Sequence, residues 1–249
     1  MPPFALILAA GRGERMLPLT LATPKPMLMA GKRRLIEWQL EALARAGIHE
    51  VVINTAHLAR QFAPILGDGS RYHLRIRYSH EGDEALETGG GIVNALPLLG
   101  SGPFLVVNGD IWSDFDYRDM PAPVQSLAVL VLVDNPPQHA GGDFWLDEHG
   151  VVHDGAQAPS RNAQRLTFAG IGAYQSTLFD DWRAVIGDTA GAAMHPPRFA
   201  LAPLLRAAMR RGQVRGVRHA GRWFDIGTAP RLADLDALLR KVDADRGSP

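Results

Sequence analysis

The chain has 249 residues, no cysteine, and 26 basic side chains against 26 acidic ones, so its formal net charge is zero. Lack of cysteine excludes disulfides, thiolate metal sites and a cysteine nucleophile, and lack of net charge leaves no global field to draw the chain to nucleic acid or to a membrane. No basic n-region leads an apolar segment and no apolar run approaches the ~18 residues of a membrane span, so a soluble cytoplasmic protein is expected, in which anion binding is local.

The first predicted element is a buried strand, Phe4-Ala5-Leu6-Ile7-Leu8, by its continuous apolar character. It breaks into LAAGRGERMLPLTLATPKP, from Leu8 to Pro26. The small residues Ala9, Ala10, Gly11 and Gly13 let backbone N–H groups approach an anion, and Arg12, Arg15 and Lys25 add positive charge beside them. The string is neither a Walker loop nor GxGxxG, since Met16 stands where the third glycine would be. Helical spacing follows over Leu35–Ala46, stopped by Gly47, then a short strand at Val51-Val52-Ile53. A second helix is expected over Leu58–Leu66, kinked or shortened by Pro64, and an alternating strand over Leu74–Tyr78. Strand, helix, strand, helix, strand implies parallel pairing with right-handed crossovers, and ligands bind beyond the carboxyl ends of such strands.

Glu87-Thr88-Gly89-Gly90-Gly91 comes next. The spacing predicts a loop whose glycines approach a flat ligand or form a turn, followed by a helix over Ile92–Leu96 stopped by Pro97. Phe104–Val107 is a buried strand ending at Asn108-Gly109-Asp110, with the aspartate placed to hold a metal or to cap a turn. Leu127–Val133 is a long strand, and Asp143–Leu146 with Val151–His153 forms a hairpin turning at Glu148-His149-Gly150. A polar surface loop covers Asp154–Arg165, a strand Leu166–Tyr174, an amphipathic helix Leu201–Arg211 and a strand Val214–His219. Trp223-Phe224-Asp225-Ile226-Gly227-Thr228 then presents a second strand-end carboxylate before a last helix from Pro230 to Val242. A hard divalent cation with phosphate ligands needs one or two such carboxylates. The histidines show no ligand spacing such as HxxxH and read as surface or packing residues.

LAAGRGERMLPLT…TPKP, ETGGG, VVNGD and WFDIGT, in this order, resemble the nucleotide-sugar pyrophosphorylases, or sugar-1-phosphate nucleotidylyltransferases, from Leu6 to the final helix. ETGGGI, LVDNP, the GGDF turn and the short second half look most like the bacterial branch that couples UTP to N-acetylmuramate 1-phosphate in peptidoglycan recycling. The resemblance implies an α/β, Rossmann-like three-layer fold with a mostly parallel mixed sheet. It also implies a single nucleotidyltransferase domain over 1–249, with a nucleotide-binding part to about 125 and a sugar-binding part beyond. Carried over by position, Ala10, Gly11, Arg12 and Gly13 with Arg15 would cradle the triphosphate. Lys25 would neutralise phosphate charge, Glu81 and Gly89 would face the base, Asn108 and Asp143 would border the sugar, and Asp110 with Asp225 would hold Mg²⁺. Arg15, Lys25 and Asp110 would be the catalytic set. One departure concerns the sugar: the Glu-Lys-Pro segment of many relatives, due between His153 and Phe168, is absent.

The implied attacking group is a phosphate oxygen, already anionic at neutral pH, so no general base is needed, in keeping with the lack of a nucleophile–histidine pair. Same-class alternatives are a mannose 1-phosphate guanylyltransferase and a glucose 1-phosphate thymidylyltransferase. An alternative of another class is an inactive nucleotide-sensing module, which would be expected to have lost Arg15, Lys25 or an aspartate. A monomer or small homo-oligomer is expected.

Overall fold

The computed structural model describes residues 2–246. Thirteen strands run in chain order as β1 (Phe4–Leu8), β2 (Met29–Ala30), β3 (Arg33–Arg34), β4 (Glu50–Thr55), β5 (Arg75–His80), β6 (Phe104–Asn108), β7 (Ile111–Ser113), β8 (Ala128–Val133), β9 (Phe144–Leu146), β10 (Val152–His153), β11 (Gln164–Tyr174), β12 (Val214–His219) and β13 (Trp223–Asp225). The α-helices are α1 (Leu35–Arg45), α2 (Phe62–Leu66), α3 (Glu87–Leu99), α4 (Trp182–Ile186), α5 (Ala202–Met209) and α6 (Ala229–Arg246).

The central mixed sheet carries a parallel block in the order β6-β1-β4-β5, as the strand–helix alternation predicts. Antiparallel β11 extends this block and joins it to the parallel pair β8–β12 and to the β9–β10 hairpin. Strand periodicity explains the layers, because successive side chains point to opposite faces. Ala5 and Ile7 share one buried cluster with Ile36, Leu40 and Leu43 of α1, whereas Leu6 belongs to the cluster on the other face, with Ile92, Ala95 and Leu99 of α3 and, further along, Leu204 and Leu205 of α5. A third cluster joins Met16, Leu28, Ala30 and Leu35 to Ile226 and to Leu235 and Leu239 of α6. This satellite core ties the end of the chain to the segment that follows β1.

Two expectations change. The triple glycine is not a loop: it occupies the first turns of α3, and α3 continues through Pro97 to Leu99. Added Cβ atoms at Gly89, Gly90 and Gly91 would lie 2.5 Å from the Phe199 ring, 2.2 Å from Pro197 O and 2.5 Å from Glu81 Oε1. Close approach of protein to protein, worth more than the ~1 kcal/mol that each helical glycine costs, is what requires them. Pro97 forgoes one N–H to i−4 carbonyl bond within the last turn, and the helix ends two residues later. The helix expected from Leu58 is shortened: Leu58 sits at φ 53°, a 3₁₀ turn covers Ala59–Gln61, and α2 begins only at Phe62, which puts Pro64 in its first turn.

Candidate active site

The parallel register aligns Leu8 with Asn54 and with Asn108, so β1, β4 and β6 end together. A cleft of about 760 Å³ opens beyond these ends, where ligands of open α/β sheets bind. Its walls include Ala10, Gly11, Arg12, Gly13, Arg15, Lys25, Glu81, Asn108 and Asp110.

The loop after β1 is fixed from below and open above. Ala9 N–H donates to Asn54 Oδ1 at 2.5 Å. Gly13 is left-handed at φ 64°, and an added Cβ would meet Thr20 Cγ2 at 3.0 Å and Lys25 Cβ at 3.1 Å. Its carbonyl accepts from Thr20 Oγ1 at 2.9 Å and from Met16 N at 2.8 Å. Gly11, by contrast, has no atom within 4 Å of the position its Cβ would take. Arg12 and Arg15 are exposed and have no ion-pair or hydrogen-bond partner among the described residues. Unneutralised guanidinium groups beside a glycine loop are a ready anion site.

Lys25 occupies the 3₁₀ turn Lys25–Met27 behind Pro24 and is buried. Its Nζ stands 2.6 Å from Asp110 Oδ2. Gly109 makes this approach feasible: its N–H donates to Leu8 O at 2.8 Å, and a Cβ there would sit 2.7 Å from the same oxygen. Asn108 lies against Gly170, in the stretch where the β11–β8 register shifts between Phe168 and Gly172. Bulges re-aim side chains next to sites.

Asp225 arrives on the β13–β7 ribbon. It pairs with Ile111, and Ile226 N–H donates to Asp110 O at 2.9 Å, so backbone bonds tie the end of β13 to the turn between β6 and β7 that carries Asp110. Its Oδ2 accepts from Arg231 Nη1 at 2.6 Å. The donor set is two hard carboxylates next to a phosphate-type loop, which fits Mg²⁺ with phosphate oxygens and water completing its shell. It does not form a cage of protein ligands: among the described residues there is no group of three or more His, Asp or Glu able to hold a metal.

Glu81 is buried, and it accepts from Asn54 Nδ2 at 2.6 Å and from Leu86 N at 2.8 Å. Burial pushes its carboxyl above the usual carboxylate range, against the lowering effect of both hydrogen bonds and of His80. Gly89 lies under the Phe199 ring and is not part of the cleft wall. Asp143 is also off that wall: its Oδ2 accepts from Phe168 N at 2.8 Å and its Oδ1 lies 2.9 Å from His139 Nε2.

Residues that the sequence did not single out also contribute. Asn54 links the loop to Glu81; its signal was a polar residue at the end of an apolar strand. Glu87, at φ 60°, and Thr88 line the cleft with Arg198, whose Nη1 is 3.1 Å from Glu84 Oε2. Arg198 carried no pattern that would have placed it there.

The family model described as nucleotidyl transferase matches residues 4–241. The N-acetylmuramate alpha-1-phosphate uridylyltransferase of Neisseria meningitidis serogroup B is 47% identical over 240 residues, which span 94% of this chain and 97% of that protein. The protein of the same name from Caulobacter vibrioides is 32% identical over 256 residues, 97% and 98% of the two chains. A Bacillus anthracis structure described as a glucose-1-phosphate thymidylyltransferase in complex with sucrose matches with a TM-score of 0.77 at 21% identity, over 95% of this chain and 94% of that one. At that identity the likeness speaks for the nucleotide-diphospho-sugar transferase fold alone.

Proposed function

The chain belongs to the nucleotidyl transferase family and is a sugar-1-phosphate nucleotidyltransferase, and from that premise we propose that it joins UTP to N-acetylmuramate α-1-phosphate, giving UDP-N-acetylmuramate and pyrophosphate. The observation that carries the reaction type is the convergence of Arg12 and Arg15, unpaired among the described residues, with the Lys25–Asp110 pair in one cleft at the strand ends. The substrate pair rests on two relatives that bear this activity in their names and match along nearly their whole length. The corresponding setting is the cytoplasm of a bacterium recycling peptidoglycan, and among the described residues no helix is long and apolar enough to cross a membrane.

In this reaction a phosphate oxygen of the sugar 1-phosphate attacks the α-phosphorus of UTP, the bond from that phosphorus to the bridging oxygen breaks, and pyrophosphate leaves with the electron pair. No proton changes hands, so the protein's task is to align two polyanions and offset their repulsion. Backbone N–H groups from Ala10 to Gly13, with Arg12 and Arg15, face the β- and γ-phosphates. Lys25 stands at the α-phosphate, where charge from both substrates accumulates. Asp110 and Asp225 would hold Mg²⁺, which supplies charge neutralisation along the triphosphate when bound. Glu81 and the first turn of α3 border the base, and Asn108 borders the sugar.

The test is pyrophosphate release from purified protein with Mg²⁺, using UTP, CTP, ATP, GTP and dTTP, each against N-acetylmuramate, N-acetylglucosamine, glucose and mannose 1-phosphates. UTP with N-acetylmuramate 1-phosphate is expected to exceed every other pair. Preference for GTP with mannose 1-phosphate, or for dTTP with glucose 1-phosphate, would reassign the substrates, and no release from any pair would favour a nucleotide-sensing role.

A further inference from the structure

Asp225 is not itself on the cleft wall, and it does not stand alone. Gly227, which lines the cleft, leaves a gap into which three charged groups project: Arg231 Nη1 at 3.0 Å, Arg15 Nη1 at 3.3 Å and Asp225 Oδ2 at 3.3 Å from the position a Cβ would take. Two guanidinium groups and one carboxylate therefore border the same gap. Arg231 holds the carboxylate, with Nη1 2.6 Å from Asp225 Oδ2 and 3.4 Å from Asp225 O, and Arg15 has no partner among the described residues. Arg231 sits in the first turns of α6, which Leu235 and Leu239 anchor to Met16 and Ile226, and Asp236 Oδ1 accepts from Gly31 N at 2.8 Å. The arginine is thus fixed to the same satellite core that carries the segment following the phosphate loop.

We infer that Arg231 is a positioning residue for the metal carboxylate: it occupies one oxygen of Asp225, turns the other toward Asp110, and keeps Arg15 free for the triphosphate. This rests on the nucleotidyl transfer reading above. Arg231 is not on the cleft wall. The arrangement mirrors Asp110, one oxygen of which is held by Lys25 at 2.6 Å. Each aspartate has one oxygen engaged by a cation and one open, so the divalent ion meets a pre-oriented pair rather than two free rotors. Partners of this kind typically hold a metal ligand's orientation, and their loss costs about 10- to 100-fold in metal affinity or activity.

The experiment uses the full chain and compares Arg231→Ala and Arg231→Lys with wild type. Mn²⁺ binding is measured by electron paramagnetic resonance in the presence of α,β-imido-UTP, and turnover is titrated with Mg²⁺. Arg231→Ala is expected to weaken nucleotide-supported Mn²⁺ binding about 10-fold or more and to move the Mg²⁺ dependence of turnover to higher concentration. Arg231→Lys should recover part of both. Unchanged Mn²⁺ binding in Arg231→Ala overturns the inference, whatever happens to the rate. If that variant loses its melting transition, Arg231→Gln, which keeps the stem and one donor without the charge, is read by the same two criteria. Pyrophosphate release by wild type is the separate control: its failure counts against the proposed reaction, whereas the Mn²⁺ comparison needs no sugar and no turnover.

Discussion

Lys25 Nζ and Asp110 Oδ2 are 2.6 Å apart at the head of the cleft, and the lysine reaches that point while 6% exposed, threaded under Gly13. An ammonium carries three donors, so Lys25 can keep one oxygen of Asp110 and still offer N–H to a phosphate oxygen. Lys25→Ala is therefore expected to lower kcat by about 10²- to 10³-fold, with a smaller rise in KM for UTP. Steady-state kinetics of pyrophosphate release check this, and a rise in KM at unchanged kcat contradicts the role.

Asp110 and Asp225 come from distant parts of the chain, yet the Ile226 N–H to Asp110 O bond of 2.9 Å places them side by side. Asp110→Asn and Asp225→Asn should each abolish turnover while moving the melting temperature by only a few degrees, since neither side chain is fully buried and the backbone pairing survives. Activity should vanish with EDTA and return with Mg²⁺. A variant that keeps more than about a tenth of the wild-type rate would remove that aspartate from the metal site, given the 10-fold minimum expected for a ligand's partners alone.

The sequence announced the parallel block well. Runs such as Phe4–Leu8 and Phe104–Val107 are apolar on both faces because α1 and α3 cover both, and that leaves a local signature. The loop after β1 was legible for the same reason: its glycines and cations act within a few residues of one another. Gly89, Gly90 and Gly91 misled as a loop because their helical state depends on Phe199 and Pro197, far along the chain. Asn54 and Arg231 were invisible in kind. Each acts through a partner, Ala9 or Asp225, that only strand register and the docking of α6 bring near. For Asp143, resemblance pointed to the sugar side, and local sequence gave no sign that Phe168 N and His139 occupy both its oxygens.

Gly90→Ala tests the packing reading of the triple glycine. Its Cβ would fall 2.2 Å from Pro197 O, a backbone atom with no rotamer to yield, next to the bond from Gly90 N to Phe199 O at 3.0 Å. Destabilisation of about 1–3 kcal/mol is expected, a melting temperature lower by roughly 2–4 °C per kcal/mol in a chain of this size. Gly102→Ala is the contrast, because nothing lies within 4 Å of its Cβ position and its φ is ordinary. Calorimetry should separate the two; equal melting temperatures would mean that the 197–199 segment shifts freely and is not held by α3.

Glu81 makes a pH-dependent prediction. Burial holds its carboxyl above the ordinary glutamate value of 4.5 in the folded chain, although Leu86 N and Asn54 Nδ2 both favour the charged form. The folded state thus binds this proton more tightly than the unfolded chain does. The sign follows: stability from Glu81 is fully present below about 4.5 and is lost as the pH rises through the raised folded value. Glu81→Gln removes the titration and, with one acceptor oxygen for two donors, adds a mispairing cost that does not vary with pH. Wild type should therefore gain stability relative to Glu81→Gln as the pH is lowered from 8 toward 4.5, with a slope of at most about 1.4 kcal/mol per pH unit. Urea unfolding of both proteins at four pH values checks this. A difference that stays flat, or one that shrinks as the pH falls, would show that Glu81 is held as readily charged as in water, and that the Asn54 and Leu86 bonds outweigh its burial.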